Sequence, residues 1–338
     1  MRILIQAYNT CCQNKSGGVQ IRVKKYKNML EQLGYNVDFF SPFETDLKDY
    51  DILHIFKLDE ENLGLIRCAK AMGKKVVLSS IVNCIKPRRI DFYGFLTKIP
   101  LATTYRSVFE IVKLCDCIIA ESEEEKSFLC KHYGADQGQV IVIGNGAEDF
   151  SKGDESIFKL IGTREEYVLQ VGRFDSNKNQ LEVINALKGT NIPLVFIGGP
   201  DINDKGYYKK CLKTADGNEN IHFLGWIDNT DPILASAYAN AKIIIVPSYS
   251  ETFGLAIVEG IIAGATPIIS NKLAILNDEH FKKCITCSPD SARSIREAVN
   301  KAYIEEFDEK YIKAIKKDFT WEGIACQHVE IYKNLCAK

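Results

Sequence analysis

No apolar run in this chain approaches the ~18 residues that a membrane-spanning helix needs. Neither sign of charge prevails, with 43 Lys+Arg against 44 Asp+Glu, so the basic field of a nucleic-acid-binding protein is missing and nucleic acid is not an expected partner. Paired metal-ligand spacing is missing too. Twelve cysteines are present, yet they are scattered: Cys11 and Cys12 are adjacent, Cys115 and Cys117 lie in an apolar run, and Cys284 and Cys287 form a lone C-x-x-C. A zinc site would need a second ligand pair at matching spacing, so free or buried thiols are expected and no metal. No D-x-D motif falls in a loop suited to hold one. His54, His132, His222, His280 and His328 are dispersed and read as structural. The opening Arg2 to Ala7 is too short for the apolar region of a signal peptide and gives way to polar residues, which predicts a first strand in a reducing cytoplasm.

What the chain has is alternation. Short apolar strands alternate with helical stretches, the pattern of a parallel α/β sheet, and they do so in two series. The first has strands near Ile3–Ala7, Val37–Phe40, Ile52–Phe56, Val76–Ser80, Cys117–Ala120 and Val140–Ile143. The second has Tyr167–Val171, Leu194–Ile197, Ile221–Phe223, Ala241–Val246 and Thr266–Ile269. Between them, Gly144 to Asp154 is rich in glycine and acidic residues and reads as a linker. A 338-residue chain is long enough to bury two ordinary cores. The expected fold class is therefore α/β, with two Rossmann-like domains facing a central cleft where the strand carboxyl ends converge.

The most specific stretch is Ser250-Glu251-Thr252-Phe253-Gly254-Leu255-Ala256-Ile257-Val258-Glu259-Gly260, with two glutamates eight positions apart across a strand-to-helix junction. Ile243 to Val246 reads as a buried strand stopped by Pro247, and Leu255 to Ala263 as the helix that follows. Glu251 then lies in the turn and Glu259 on the helix. Gly254 lets a ligand approach the backbone, and the free N–H groups of the first helical turn form an anion site. Two acceptor-only carboxylates beside such a cradle suit the hydroxyls of a sugar and a ribose. The expectation is a nucleotide-sugar site.

With Val171-Gly172-Arg173-Phe174-Asp175-Ser176-Asn177-Lys178-Asn179-Gln180, a G-R-x4-K-N segment, the chain resembles the retaining GT-B glycosyltransferases of family 4, also called glycosyl transferases group 1. Phe223-Leu224-Gly225-Trp226, Tyr238-Ala239-Asn240-Ala241 and the two spaced glutamates add to the resemblance. In the first half, Ser16-Gly17-Gly18-Val19, Ala120-Glu121-Ser122 and Gly144-Asn145-Gly146-Ala147 resemble further landmarks, so it covers nearly the whole length. It implies an N-terminal acceptor-side domain of residues 1–150 plus 320–338, the last segment crossing back as a helix, and a donor-binding domain of residues 155–319. It also implies that Arg173 and Lys178 grip the diphosphate, helped by backbone N–H groups near Phe253, Gly254 and Leu255. Glu259 would bond the ribose and Glu251 the donor sugar, while the Gly17–Gly18 loop would approach the phosphates. The family's histidine after the fourth strand is absent from Val76 to Asn83. Ser80 and Asn83 remain there to meet an acceptor hydroxyl.

The chemistry can be read from the residue types as well. Breaking a glycosyl phosphate bond puts negative charge on a departing diphosphate, which fixed cations or a divalent metal must hold. Arg173 offers a planar fork and Lys178 a compact charge, so no metal cofactor is expected. A sugar from a nucleotide donor, UDP by family frequency, would pass with retention to a saccharide or lipid-linked saccharide in cell-surface glycan synthesis. Two alternatives stay open: a non-catalytic sugar-nucleotide-binding subunit that supports a partner enzyme, and a nucleotide-sugar epimerase on the same fold. Lys86 to Lys98 is basic and aromatic. With Arg22, Lys24, Lys25 and Lys27 it suits either a solvated acceptor loop or a peripheral contact with an anionic membrane, at the inner membrane face.

Overall fold

The computed structural model describes residues 1–7, 18–82, 84, 87–96, 104–202, 204–251, 253–305 and 308–337. The chain forms two compact units, Met1–Gly146 with Trp321–Lys338, and Ala147–Thr320. Unit 1 holds a sheet of β1 (Arg2–Gln6), β2 (Asn36–Phe39), β3 (Ile52–Phe56), β4 (Lys75–Ser79), β5 (Cys117–Ala120) and β6 (Val140–Val142), in the order β2-β1-β3-β4-β5-β6. Every pairing is parallel. Strand residues alternate between the two faces. Ile3 and Ile5 enter a core with Tyr26, Ile324 and Tyr332, while Leu4 enters a second core with Leu53, Ile66 and Ile118. Helices thus cover both faces, which is why these strands read as unbroken apolar runs.

Unit 2 repeats the architecture with β7 (Val168–Val171), β8 (Leu194–Ile197), β9 (Ile221–Phe223), β10 (Ile243–Val246), β11 (Thr266–Ser270) and β12 (Ile285–Cys287), ordered β12-β11-β10-β7-β8-β9. Its pairings are also parallel. Strand order reverses between β7 and β10, and in sheets of this kind ligands settle in the crevice beyond the strand ends at such a reversal. The strand β12 was not expected from the sequence. It holds Cys287, while Cys284 lies just before it. Both thiols are buried, and burial raises them to about 12 and about 11 respectively.

The boundary between units lies at Gly146 and again at Thr320. Residues 147–150, placed by sequence with the first domain, belong to unit 2 because Phe150 is buried there and stacks on Tyr238 at 4.9 Å. The helix Trp321–Cys336 returns to unit 1 and supplies Ile324, Ala325, Val329 and Tyr332 to its core. A Cβ on Gly146 would lie 2.4 Å from the Trp321 ring, so only glycine fits where the chain leaves and re-enters this unit.

Unit 1 also buries polar groups. Tyr26 Oη lies 2.6 Å from Tyr332 Oη, which lies 2.6 Å from His54 Nδ1, and His54 Nε2 lies 2.9 Å from Ser79 Oγ. Burial pushes His54 well below the usual histidine range and His328 down to about 3. Nearby, the buried Arg22 donates to Glu121. Burial lowers that guanidinium to about 10, and the field of Glu125 partly opposes the shift.

Candidate functional site

Two loops leave the strands that flank the reversal in unit 2. One follows β7 and runs through residues 172–179 to the helix Gln180–Leu187; the other follows β10 and runs through residues 247–254 to the helix Leu255–Ala263. They are joined by a charge pair. Lys178 Nζ donates to both Glu251 oxygens, at 2.6 and 2.8 Å, and Ser248 Oγ donates to the same carboxylate at 2.6 Å. The pair is largely buried, with side-chain exposures of 25% for Lys178 and 13% for Glu251. Backbone contacts reinforce the junction: Asn177 Nδ2 donates to the Ser250 carbonyl and the Tyr249 N–H to the Asn177 carbonyl, both at 2.9 Å.

Arg173 stands at the start of the first loop and donates to Asp201 at 2.6 Å, while 62% of its side chain stays exposed. Its backbone is tightly set. Gly198 has φ +147°, and a Cβ there would lie 2.0 Å from the Gly172 carbonyl oxygen, so the ends of β7 and β8 approach as only glycine permits. On the other side, Gly254 caps the Leu255–Ala263 helix in a left-handed conformation, with no side-chain cap on the first-turn N–H groups. Such a terminus can receive an anion. Further along, Glu259 accepts from Tyr238 Oη at 2.9 Å. Burial, together with the Glu259 charge, raises the Tyr238 phenol well above its ordinary range, so it stays a donor. Gly260 lets this helix lie against β10, since a Cβ would meet Ile244 at 2.4 Å.

Arg173, Lys178, Glu251, Phe253, Gly254, Leu255 and Glu259 thus all lie on the two loops and the helix beyond β7 and β10. Gly17 and Asn83 lie outside the described residues, and Gly18 is the first residue of the helix Gly18–Gln32. Ser80 is a correction. Its hydroxyl is fully buried, 2.8 Å from Glu125 Oε1 and 3.1 Å from the Ile119 carbonyl, so it is not free to meet an acceptor. Trp226 is 70% exposed and lies next to Gly199.

Sequence reasoning missed the partners Asp201, Ser248 and the role of Tyr238. For Ser248 the one signal is its place three residues before Glu251 in the same turn. Asp201 carries none.

Residues 152–318 match the family described as glycosyl transferases group 1. An uncharacterized glycosyltransferase of Methanocaldococcus jannaschii is 27% identical over 69% of this chain and 62% of its own length. A D-inositol 3-phosphate glycosyltransferase of Rhodococcus opacus is 27% identical over 48% of this chain and 39% of its own. The chain thus spans less than two thirds of these relatives. HepE of Anabaena, solved in complex with UDP, superposes with a TM-score of 0.70 at 18% identity, covering 99% of this chain and all of that one. The fold is GT-B. The match to the glycosyl transferases group 1 spans just under half of the chain, within its second unit.

Proposed function

We propose that this protein is a retaining glycosyltransferase of family 4 that moves a sugar from a nucleotide donor, UDP-linked, to a saccharide or lipid-linked saccharide in cell-surface glycan synthesis. The observation that carries the reading is the Lys178–Glu251 pair, which bridges the β7 and β10 loops at the strand-order reversal. In the free protein both candidate cations are neutralised, Lys178 by Glu251 and Arg173 by Asp201. A donor diphosphate would draw on both. Arg173 would turn its fork from Asp201 to the phosphate oxygens and Lys178 would share its point charge between Glu251 and the phosphate, so that charge developing on the leaving group meets cations held at the site. No metal is called on for that step. Glu251 would accept from a donor-sugar hydroxyl, and Glu259, oriented by Tyr238, from the ribose. The freed diphosphate oxygen would take the acceptor proton on the face it leaves, which retains the configuration.

A thermal-shift screen of UDP, GDP and ADP with their sugars, followed by donor-turnover assays, tests this. A UDP-selective shift with transfer of the sugar is expected. Tight binding without turnover would favour the binding subunit, release of an epimerised nucleotide sugar would favour the epimerase, and no shift with any nucleotide would overturn the reading.

One further observation supports a lipid-linked acceptor at a cytoplasmic membrane face. The helix Pro87–Leu96 has no buried residue, and Phe92 and Phe95 are mostly exposed beside Arg88 and Arg89. Aromatic rings flanked by arginines suit an anionic interface. Among the described residues no helix is long and apolar enough to cross a membrane. Flotation with anionic liposomes should show salt-sensitive binding that Phe92→Ser with Phe95→Ser removes; flotation unchanged by those substitutions would exclude this surface.

A further inference from the structure

We infer that Gln170 and Gln180 are positioning residues that fix the loop carrying both cations; the inference rests on the donor-site reading above. Gln170 lies in β7 and Gln180 is the first residue of the helix Gln180–Leu187, and both are almost completely buried. Gln170 Nε2 donates to the carbonyl of Lys178 and Gln180 Nε2 to the carbonyl of Arg173, each at 2.8 Å. The two carboxamides therefore hold the backbone of the two residues assigned to the diphosphate.

The hydrogen bonds also fix which way each amide points. A carbonyl can only accept, so the NH2 group faces the loop and Oε1 is turned away. Neither Oε1 has a partner among the described residues. A buried acceptor left unpaired costs free energy, and a methionine of similar shape would remove that cost while leaving the loop carbonyl without its donor. The two terms oppose each other, so stability alone gives little reason for a glutamine at either place. Buried polar groups that gain little stability are a mark of organised sites.

The rest of the loop explains what the amides add. Phe174 N–H donates to the Gly199 carbonyl at 2.8 Å and Ser176 N–H to Asp204 at 3.1 Å. Asn179 is buried, sits at φ +62° and donates to the Pro289 carbonyl at 2.7 Å. Those contacts anchor residues between and beyond the cations. The peptide planes that follow Arg173 and Lys178 are the ones the glutamines hold, and each plane sets the direction in which its side chain departs. The plane after Arg173 is thereby held at both edges, by Gln180 at its carbonyl and by Gly199 at the Phe174 N–H, and loss of Gln180 leaves only the second.

The test uses the full chain and the variants Gln170→Met, Gln180→Met and Gln180→Glu, with three readouts: Tm, UDP affinity by calorimetry, and donor turnover. Each methionine variant should shift Tm by only a few degrees, bind UDP within about threefold of the parent, and lose roughly tenfold or more in kcat, the scale of a displaced catalytic group. In Gln180→Glu a protonated acid can still donate to the Arg173 carbonyl and an ionised one cannot, so kcat should fall with rising pH where the parent's does not. Turnover retained in the methionine variants, a loss of turnover no larger than the loss of folded protein at the assay temperature, or a pH profile unchanged in Gln180→Glu would each overturn the positioning role. A parent chain that neither binds nor turns over any nucleotide sugar would instead overturn the site reading itself, and the positioning role with it.

Discussion

The two units share one parallel architecture and place their buried polar groups differently. In unit 1 they run through the interior, from Tyr26 through Tyr332 and His54 to Ser79, and tie the returning helix Trp321–Cys336 to the middle of the sheet. In unit 2 they gather around the strand ends, where Gln170, Gln180 and Ser248 hold backbone carbonyls or a carboxylate of the two loops and Tyr238 holds Glu259 on the helix that follows. Perturbed titration alone does not separate the units, since burial also moves Tyr238, Cys284 and Cys287 of unit 2. His54, His328 and Tyr26 are moved far from their ordinary values by burial, yet they lie within a packed core. Position at the strand-order reversal is the better guide, because it is where the fold leaves backbone groups and loops free to meet a ligand.

The largest effect that would sharpen this contrast comes from glycine. Gly198→Ala drives a methyl into the Gly172 carbonyl at a backbone angle that alanine resists. Overpacking and strain together should cost about 4 kcal/mol. Gly34 in unit 1 also has positive φ, but nothing lies within 4 Å of its Cβ position, so Gly34→Ala should cost only about 1 kcal/mol. Urea unfolding of the two variants measures the difference. Equal losses would mean that the strand ends of unit 2 are no more tightly set than a turn of unit 1.

Next in size is the chemistry. Lys178→Ala should lower donor turnover by about 2–4 kcal/mol of transition-state stabilisation, on the scale of losing one oxyanion donor, and should leave the unfolding of unit 1 unchanged. Steady-state kinetics with the donor found in the screen decides it. Near-normal turnover would remove Lys178 from the site.

Tyr332→Phe probes the other unit. It strips the shared partner of Tyr26 and His54 and leaves two buried polar atoms unpaired, which should cost about 2 kcal/mol of stability with kcat intact. A loss of turnover larger than the loss of folded protein would show that the interior chain of unit 1 does more than hold the helix.

Much of this contrast was legible in the sequence, and its limits have physical causes. The strand β10 could be read because Ile243 to Val246 is apolar on both faces and ends at a proline. The strand β12 could not, because three residues with an exposed Thr286 in the middle carry no usable period. The loop cations and the glutamates were found through the spacing of their motifs. Their pairing was not, since Lys178 and Glu251 are 73 residues apart and only the sheet order brings them together. Ser80 was misread for a related reason. A serine just past a strand looks exposed, and Glu125 sits in a Glu123-Glu124-Glu125 run that looks solvated. In the fold Glu125 turns inward, accepts from Ser80 and the Val82 N–H, and closes that edge.

The remaining predicted effect is one of pH, and it carries opposite signs in the two units. His328 is buried and neutral, its folded pKa lowered to about 3 by burial against an ordinary 6.5. Below the unfolded value the unfolded chain binds the extra proton, so the stability of unit 1 is complete above about pH 6.5 and is lost as pH falls. At pH 5.5 the loss from this residue is about 1.4 kcal/mol, and His54, also lowered, adds to it. In unit 2, burial works against the charge on His280, but hydrogen bonds from its ring to Asp278 and Asp318, at 2.7 and 3.0 Å, outweigh it and raise the pKa. That contribution is present below the ordinary histidine value and fades as pH rises through the raised one. Acidification should therefore weaken unit 1 while favouring the His280 contacts of unit 2. The chain has two tryptophans, Trp226 in unit 2 and Trp321 in unit 1, so Trp226→Phe leaves Trp321 to report unit 1 alone. Its urea midpoint should fall between pH 7.5 and 5.5, while hydrogen exchange around His280 and Asp318, corrected for the intrinsic pH effect, should slow. Movement of both in one direction would mean that the two units share a single unfolding transition, and the contrast in their buried groups would have no separate thermodynamic consequence.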